Sequence, residues 1–356
     1  MAEQIGIGII GAGNIALIHA QAIAALGPQA NVRLRGVLGK RRERAEKLAG
    51  QFGAVAFTEA AAMLERSDIQ VVTICTPSGT HADLGLQAAA AGKHVIVEKP
   101  IDVTMERARA LVVGCEQHRV RLGVIFQSRF LPAVTLIKQA IERGRLGKLY
   151  VVDAYVKWFR NRAYYQAAAW RGTKALDGGG ALINQGIHTV DLAQHFAGPA
   201  ASIYGIAERK HHPYIEGEDT ALALVKYRGG AAGVIEATTS LAPGFSRRVE
   251  VHGEKGSIVL DGNDITVWQL EGEGDDEAML ARLRMEKKDA SDGASNPMNL
   301  DITAHQRHLE DFVGAVRDGR APAVDGREAL KALEIVLGVY RSAETGQAVD
   351  LPLVDK

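Results

Sequence analysis

The chain has 356 residues, 47% of them hydrophobic, which suits two domains with sizeable cores. Lys plus Arg and Asp plus Glu each total 42, so the formal net charge is zero, and neither nucleic acid nor an acidic membrane surface is implied as a partner. Cys75 and Cys115 stand far apart in apolar surroundings, which argues against a disulfide framework, and no apolar run reaches membrane-spanning length. With no basic leader and cleavage site at the start, a cytoplasmic protein with a small neutral or anionic ligand is expected.

The first element predicted is a buried strand, Ile5 to Ile10, a β-branched run of the kind covered on both faces in a parallel sheet. Gly11-Ala12-Gly13-Asn14-Ile15-Ala16 follows and fits G-x-G-x-x-A. Gly11 allows the tight turn, Gly13 lets the backbone approach a pyrophosphate, and Ala16 lets the next helix lie close to the strand. The N-terminal amides of that helix, about Ile15 to Leu26, face the anion, so Gly11, Gly13, Asn14 and Ile15 are assigned to a dinucleotide.

A second strand, Val32 to Leu38, ends where an NAD site carries an acidic residue for the ribose hydroxyls. Gly39 holds that place, followed by Lys40 and Arg41. Basic side chains there bind a 2′-phosphate, so the expected cofactor is NADP or NAD, with the lean towards NADP. The strand Val71 to Thr76 runs into Thr76-Pro77-Ser78 and a helix from His81. Loops at the carboxyl ends of strands cover the ligand, which places Thr76, Pro77 and His81 in the cofactor set, with His81 capping or packing at the helix start.

Next comes His94-Val95-Ile96-Val97-Glu98-Lys99-Pro100. A buried strand delivers Glu98 and Lys99 to the sheet edge, and a lysine so placed is costly unless paired or functional. Pro100 biases Lys99 to an extended backbone. A helix over Met105 to Arg119 and a strand over Leu122 to Phe126 complete the first domain.

These three stretches, Gly11-Ala12-Gly13, Thr76-Pro77-Ser78 and Glu98-Lys99-Pro100, in this order and spacing, resemble the Gfo/Idh/MocA oxidoreductase family. The likeness extends over essentially the whole chain. It implies an α/β fold: an N-terminal Rossmann domain, taken as 1–125, and a C-terminal α+β domain, taken as 126–356, with a large open, mostly antiparallel sheet. That second domain is expected to bind substrate and to form a homodimer or homotetramer through its sheet. The closing helices are expected to pack back on the first domain.

After the first domain, a helix over Pro132 to Arg143 leads to an alternating strand, Leu149 to Lys157. Trp158, Arg160, Arg162, Tyr164, Tyr165, Trp170 and Arg171 then interleave rings and guanidinium groups. Such a stretch can line a sugar or nucleotide-sugar site, because rings stack on sugar faces and guanidinium groups hold carboxylates or phosphates. Arg160, Tyr165, Trp170 and Arg171, with Gln127, are the substrate-binding candidates; a core aromatic cluster is the alternative.

The second chemical centre runs from Asp177 through Gly178-Gly179-Gly180 to Asn184, His188 and Asp191. The glycines let backbone or ligand come close. Asn184 and His188, one helical turn apart, share a face. His188, Asp191 and His195 have a spacing that could suit a metal, but no further ligands cluster with them, and no metal is assigned. The segment resembles the family's glycine-rich catalytic motif, in which His188 matches the catalytic histidine. Where full motifs carry an aspartate this chain has Asn184, which cannot take a proton and is assigned to orienting substrate or His188.

The remainder reads as an antiparallel sheet, six strands between Ser202 and Leu270 with turns at Arg228-Gly229-Gly230 and Gly253 to Gly256. Glu271 to Pro297 is charged and glycine-rich and reads as a mobile excursion. Two helices close the chain, with capping boxes read at Thr303 to Gln306 and Asp325 to Glu328.

The resemblance implies a nicotinamide-dependent dehydrogenase of a sugar, polyol or sugar derivative. Lys99 and His188 are its catalytic pair. A nucleotide-sugar 3-dehydrogenase is the alternative within enzymes, since Tyr164-Tyr165 and Trp170-Arg171-Gly172-Thr173 also resemble such members. A non-catalytic cofactor-binding scaffold or redox sensor is the alternative outside them.

Overall fold

The computed structural model describes residues 4–272, 280–281 and 302–354. The chain divides into two compact units. One runs up to Gln127 and takes up a later stretch ending at Leu330; the other begins at Ser128 and resumes at Lys331.

The first unit alternates strands and helices: β1 (Ile5–Ile10), α1 (Asn14–Ala25), β2 (Val32–Leu38), α2 (Arg42–Gln51), β3 (Val55–Phe57), α3 (Ala60–Leu64), β4 (Val71–Ile74), α4 (His81–Ala90), β5 (His94–Val97), α5 (Met105–Gln117) and β6 (Leu122–Val124). All strands pair in parallel, in the order β3-β2-β1-β4-β5-β6. The order reverses between β1 and β4, and ligands bind outside the carboxyl ends of strands at such a switch point. Every residue of β1, β4 and β6 is buried, which explains why these strands are apolar apart from Thr73 of β4.

The second unit opens with α6 (Pro132–Glu142), β7 (Leu149–Lys157) and α7 (Arg162–Gln166). A π-helical turn, Ala181–Gly186, runs directly into α8 (Ile187–Ala197). Then come β8 (Ala200–Glu208), β9 (Thr220–Tyr227), β10 (Ala232–Thr238), β11 (Arg248–Gly253), β12 (Gly256–Asp261) and β13 (Asp264–Leu270). The chain closes with α9 (Ile302–Asp318), α10 (Gly326–Thr345) and β14 (Val349–Asp350). The sheet order is β13-β12-β11-β7-β10-β9-β8-β14.

This second sheet is mixed. β7 and β10 run parallel and its other pairs are antiparallel, so the sheet is mostly antiparallel as expected, although the strands read from sequence did not reveal which pair is parallel. Period-two alternation reports which face is buried and not which way a neighbour runs. The short β3, α3, α7 and β14 were not predicted; each is too brief to show a period. α9 already begins at Ile302, so Thr303 lies inside the helix and does not cap it. Asp325 does cap α10: its Oδ1 accepts the Glu328 N–H at 2.8 Å. Of the excursion read at 271–297, all but 271–272 and 280–281 lies outside the described residues.

In the first unit α9 packs on α1, and Leu309, Phe312 and Val313 join the core beneath β1. Gly123 of β6 is required by this packing, since a Cβ there would meet the Phe312 ring at 2.6 Å.

Candidate functional site

Gly11 has φ +120°, and a Cβ on it would meet the Cys75 carbonyl oxygen at 2.4 Å. Only glycine allows that close crossing of β1 and the end of β4. Gly13 differs. It is the exposed N-cap of α1, and a Cβ there would meet nothing within 4 Å. Internal packing therefore gives no reason for this glycine, whereas an anion seated on the α1 amides does. Asn14 is exposed and Ile15 half-buried at that terminus, while Ala16 is fully buried against the sheet. These residues fit a dinucleotide. Lys40 and Arg41 are exposed beyond the end of β2, and no carboxylate stands at Gly39.

The loops after β4 and β5 are tied together. His81 is buried; its Nδ1 faces the Pro100 carbonyl at 2.8 Å and its Nε2 the Thr76 carbonyl at 3.0 Å. Burial pulls this imidazole down, and the two carbonyls oppose that. Both ring nitrogens are thus committed to backbone, so His81 braces the loops that carry Thr76 and Lys99. Asp102 adds a second tie, accepting from the Ala82 N–H at 2.9 Å and from Arg107 at 3.0 Å.

Glu98 is buried and Lys99 half-buried at the end of β5. Glu98 Oε1 is 2.8 Å from His19 Nε2 on α1, and Oε2 accepts the Lys99 N–H at 3.2 Å. His305, from α9, brings its Nε2 to 4.0 Å from the same carboxylate and meets the His19 ring edge-on at 5.6 Å. The His19 Nδ1 pairs with Thr73 Oγ1 at 2.9 Å. Burial resists ionisation of Glu98, but the His19 hydrogen bond and charge override it and pull the carboxyl down to about 2. Burial likewise resists charge on His19, yet Cys75 and Glu98 raise it to about 10. The geometry is that of an ion pair, and both shifts favour the charged forms. Sequence reading flagged Glu98 and missed His19 and His305, since their partner lies far along the chain. His19, Glu98 and His305 are also the group of metal-ligand types brought together among the described residues.

In the second unit the π-turn and α8 bury nearly everything. From Ala181 to Gln194, the half-buried residues are Asn184, Gln185 and His188. Asn184 and His188 are thus both accessible, in keeping with the shared face read from their spacing, and Gln185 joins them. π-Helical turns are rare and often mark functional positions. Asn184 donates to Asp177 Oδ1, and Asp177 Oδ2 accepts the Gly172 N–H at 2.7 Å. Gln185 Nε2 donates to Asn184 Oδ1 and to the Tyr164 hydroxyl, at 2.5 and 2.8 Å. Its Oε1 accepts from Arg160 at 2.9 Å. Gln185 was not singled out from sequence; its place beside Asn184 was the available signal.

Arg160 stacks over Trp158 at 4.8 Å and Tyr164 at 5.4 Å; Arg171 stacks over Tyr164 at 4.1 Å and Trp170 at 5.8 Å. The interleaved stretch thus forms one band joined to Asn184. Tyr165 meets the band edge-on through the Tyr164 ring, at 5.2 Å, and lies on its inner side. It is buried, its hydroxyl pairs with Thr239 Oγ1 at 2.8 Å, and its ring packs on His212 and Tyr214. Its contacts are those of the core alternative. Gln127, half-buried in a 3₁₀ turn, has a buried Oε1 with no partner among the described residues. Asp191 is committed to Arg129, which reaches its two oxygens at 2.7 and 2.6 Å. That ion pair takes up the carboxylate of the His188–Asp191–His195 spacing.

A parallel sheet with a glycine crossing at its switch point, ahead of an open helix N-terminus, defines a dinucleotide-binding fold. The comparisons are specific. Residues 5–126 match the NAD-binding Rossmann fold of the Gfo/Idh/MocA oxidoreductase family, and residues 138–351 match its C-terminal alpha/beta domain. The chain belongs to the Gfo/Idh/MocA oxidoreductase family. It is 28% identical to the scyllo-inositol 2-dehydrogenase (NAD(+)) of Bacillus subtilis, over 99% of this chain and 97% of that one. It is 28% identical to the inositol 2-dehydrogenase of Rhizobium meliloti, over 97% and 98%. Among solved structures it resembles the WlbA dehydrogenase from Bordetella pertussis in complex with NADH and UDP-GlcNAcA, at TM-score 0.90 and 31% identity, covering 99% of each chain. The protein is an oxidoreductase with an NAD-binding Rossmann domain, and the resemblance read from its three motifs holds. Among the described residues, no helix is long and apolar enough to cross a membrane.

Proposed function

We propose that this oxidoreductase oxidises a secondary alcohol of a sugar, polyol or sugar derivative, with His188 as the base and Lys99 as the cation that stabilises the developing alkoxide. The observation that carries the reading is the accessible face of the π-turn and α8, which presents Asn184 and His188. When bound, the nicotinamide supplies the hydride acceptor. His188 takes the hydroxyl proton as the carbinol C–H bond breaks, and in reduction gives it back; free imidazole titrates near neutral pH and suits both directions. Lys99 offers an ammonium held by a backbone that Glu98 fixes, and preorganised charge of this kind is often the largest catalytic contribution. Asn184, held by Asp177 and Gln185, orients substrate. Residues 1–125 then serve the cofactor, and 126–356 the substrate and assembly. His188→Ala and Lys99→Ala should each lower kcat roughly 10²- to 10⁴-fold with saturating cofactor and a confirmed substrate. Near-wild-type turnover in both variants would refute the assigned roles.

A second reading is favoured by the guanidinium band: a nucleotide-sugar 3-dehydrogenase, in which Arg160 and Arg171 engage the anionic groups. The WlbA neighbour, crystallised with UDP-GlcNAcA, supports it. A panel of polyols, sugars and UDP-sugars, followed by nicotinamide absorbance and thermal shift, separates the readings, because a ligand of the native state raises Tm by mass action. Tight cofactor binding with no turnover across the panel would instead indicate a scaffold or sensor.

Lys40 and Arg41, exposed where a ribose-binding carboxylate is missing, support a preference for NADP. Lys40→Ala/Arg41→Ala should abolish that preference in kcat/KM; a wild-type enzyme that favours NAD refutes it. Cys75 and Cys115 are both buried free thiols, in keeping with a reducing, cytoplasmic setting.

The open sheet supports assembly. Tyr204 opposes Leu224 and Ile206 opposes Leu222 across β8 and β9, and these are 47%, 62%, 42% and 38% exposed. Such a patch on an otherwise alternating sheet marks an interface. A second copy of the same face can cover it as a two-fold dimer. Leu224→Glu should convert a dimer or tetramer to a smaller species in light scattering.

A further inference from the structure

The glycine triplet 178–180 has an occupant, a buried glutamate that the reaction as proposed does not use. Glu218 enters just before β9 with its side chain buried. Its Oε2 accepts the Gly180 N–H at 3.0 Å and its Oε1 the Leu182 N–H at 2.7 Å. Its backbone carbonyl accepts the Ala181 N–H at 2.8 Å. The Tyr340 hydroxyl, from α10, donates to Glu218 Oε1 at 2.9 Å and accepts the Ile183 N–H at 3.3 Å.

The first N–H groups of any helix lack intrahelical partners. Here four successive ones, Gly180 to Ile183, are taken by Glu218 and Tyr340. The glycines make that approach possible. A Cβ on Gly180 would meet the Glu218 carbonyl oxygen at 1.7 Å, and one on Gly179 would meet the Tyr340 hydroxyl at 2.5 Å. A negative group at a helix N-terminus is also favoured by the helix dipole.

We propose that Glu218 and Tyr340 are positioning residues for catalysis: together they hold the N-terminus of the π-turn, and through it set where Asn184 and His188 stand. The inference rests on the catalytic reading of His188. Neither residue touches the reacting atoms. They act by fixing the helix that carries those that do, and small misplacements of such groups cost rate steeply. The titratable group facing Glu218 is the Tyr340 phenol; the glycine stretch and the π-turn present backbone N–H groups to it. Burial pushes the Glu218 carboxyl up to about 7, with those N–H groups and Tyr340 opposing. Its charge state therefore changes near neutral pH, and the hold on the helix changes with it.

Glu218→Gln and Tyr340→Phe test this in the full-length enzyme, with kcat and KM measured per folded protein across pH 5.5–9. The expected result is a fall in kcat on the order of tenfold to a hundredfold in each. Cofactor Kd by calorimetry should be unchanged, and Glu218→Gln should lose an inflection near neutral pH that wild type shows. Tyr340→Phe keeps the ring and serves should Glu218→Gln fold poorly. Glu218→Gln/His188→Ala should be no slower than His188→Ala alone, because the positioning acts through His188. Wild-type kcat and pH profile in both variants overturn the proposal, as does a lowered folded yield with unchanged kcat per folded enzyme. A His188→Ala variant of wild-type activity sinks the catalytic reading instead, so the two failures are told apart.

Discussion

Two buried glutamates stand behind the two proposed catalytic groups, and they are held in opposite ways. Glu98 adjoins Lys99 and faces a cation, the His19 imidazolium, with His305 close by. Glu218 lies behind the helix of His188 and faces neutral donors, backbone N–H groups and a phenol. The first carboxyl is pulled down to about 2 and the second pushed up to about 7. Burial alone disfavours both charges. A partner charge reverses that penalty in the first unit, whereas neutral donors only reduce it in the second. The first site is locked in one ionisation state at neutral pH, and the second can change.

The largest expected effect breaks the locked site. Glu98→Ala strands the buried His19 cation and should cost roughly 3–5 kcal/mol in urea unfolding. A smaller effect measures the lock itself. A double-mutant cycle of His19→Asn with Glu98→Gln should give a coupling of about 1–3 kcal/mol. If the coupling is near zero, the two residues do not form the ion pair described. The pH dependence of stability separates the two glutamates. Glu98 has its folded value below the ordinary 4.5, so its stabilisation is complete above pH 4.5 and is lost as pH falls through about 2. Glu218 has its folded value raised from 4.5 to about 7, so its contribution declines as pH rises across that interval. Relative to wild type, Glu218→Gln should therefore gain stability between pH 4.5 and 7. A third carboxylate, the half-buried helix cap Asp325, should cost about 1 kcal/mol as Asp325→Ala. Least of all, the exposed Arg327–Glu116 pair should leave Tm unmoved when Glu116 becomes Ala.

The same contrast shows what was legible in the sequence. The first unit was readable because three of its strands are local apolar runs closed by a local signal: Gly11 and Gly13 after β1, Pro77 after β4, Pro100 after β5. Glu98 was visible because it adjoins Lys99 and Pro100. Its partners were not, since His19 and His305 reach it from 79 residues before and from α9. In the second unit Asn184 and His188 were found by spacing. The triplet 178–180 announced a close approach but could not name what approached. Glu218 reaches Gly180 from 38 residues away along the chain, and Tyr340 reaches Ile183 from 157. No periodicity records such a meeting. The parallel pair β7–β10 was missed for a related reason: alternation is identical in either strand direction.

The guanidinium band gives the protein an optical handle. Two of its three tryptophans, Trp158 and Trp170, lie beneath the Arg160 and Arg171 cations, while Trp268 is on β13. An anionic compound that draws those cations off the indoles will alter their emission, and Trp268 will supply the steady background. Occupancy by a charged sugar can then be followed in the unlabelled enzyme before any turnover is detectable.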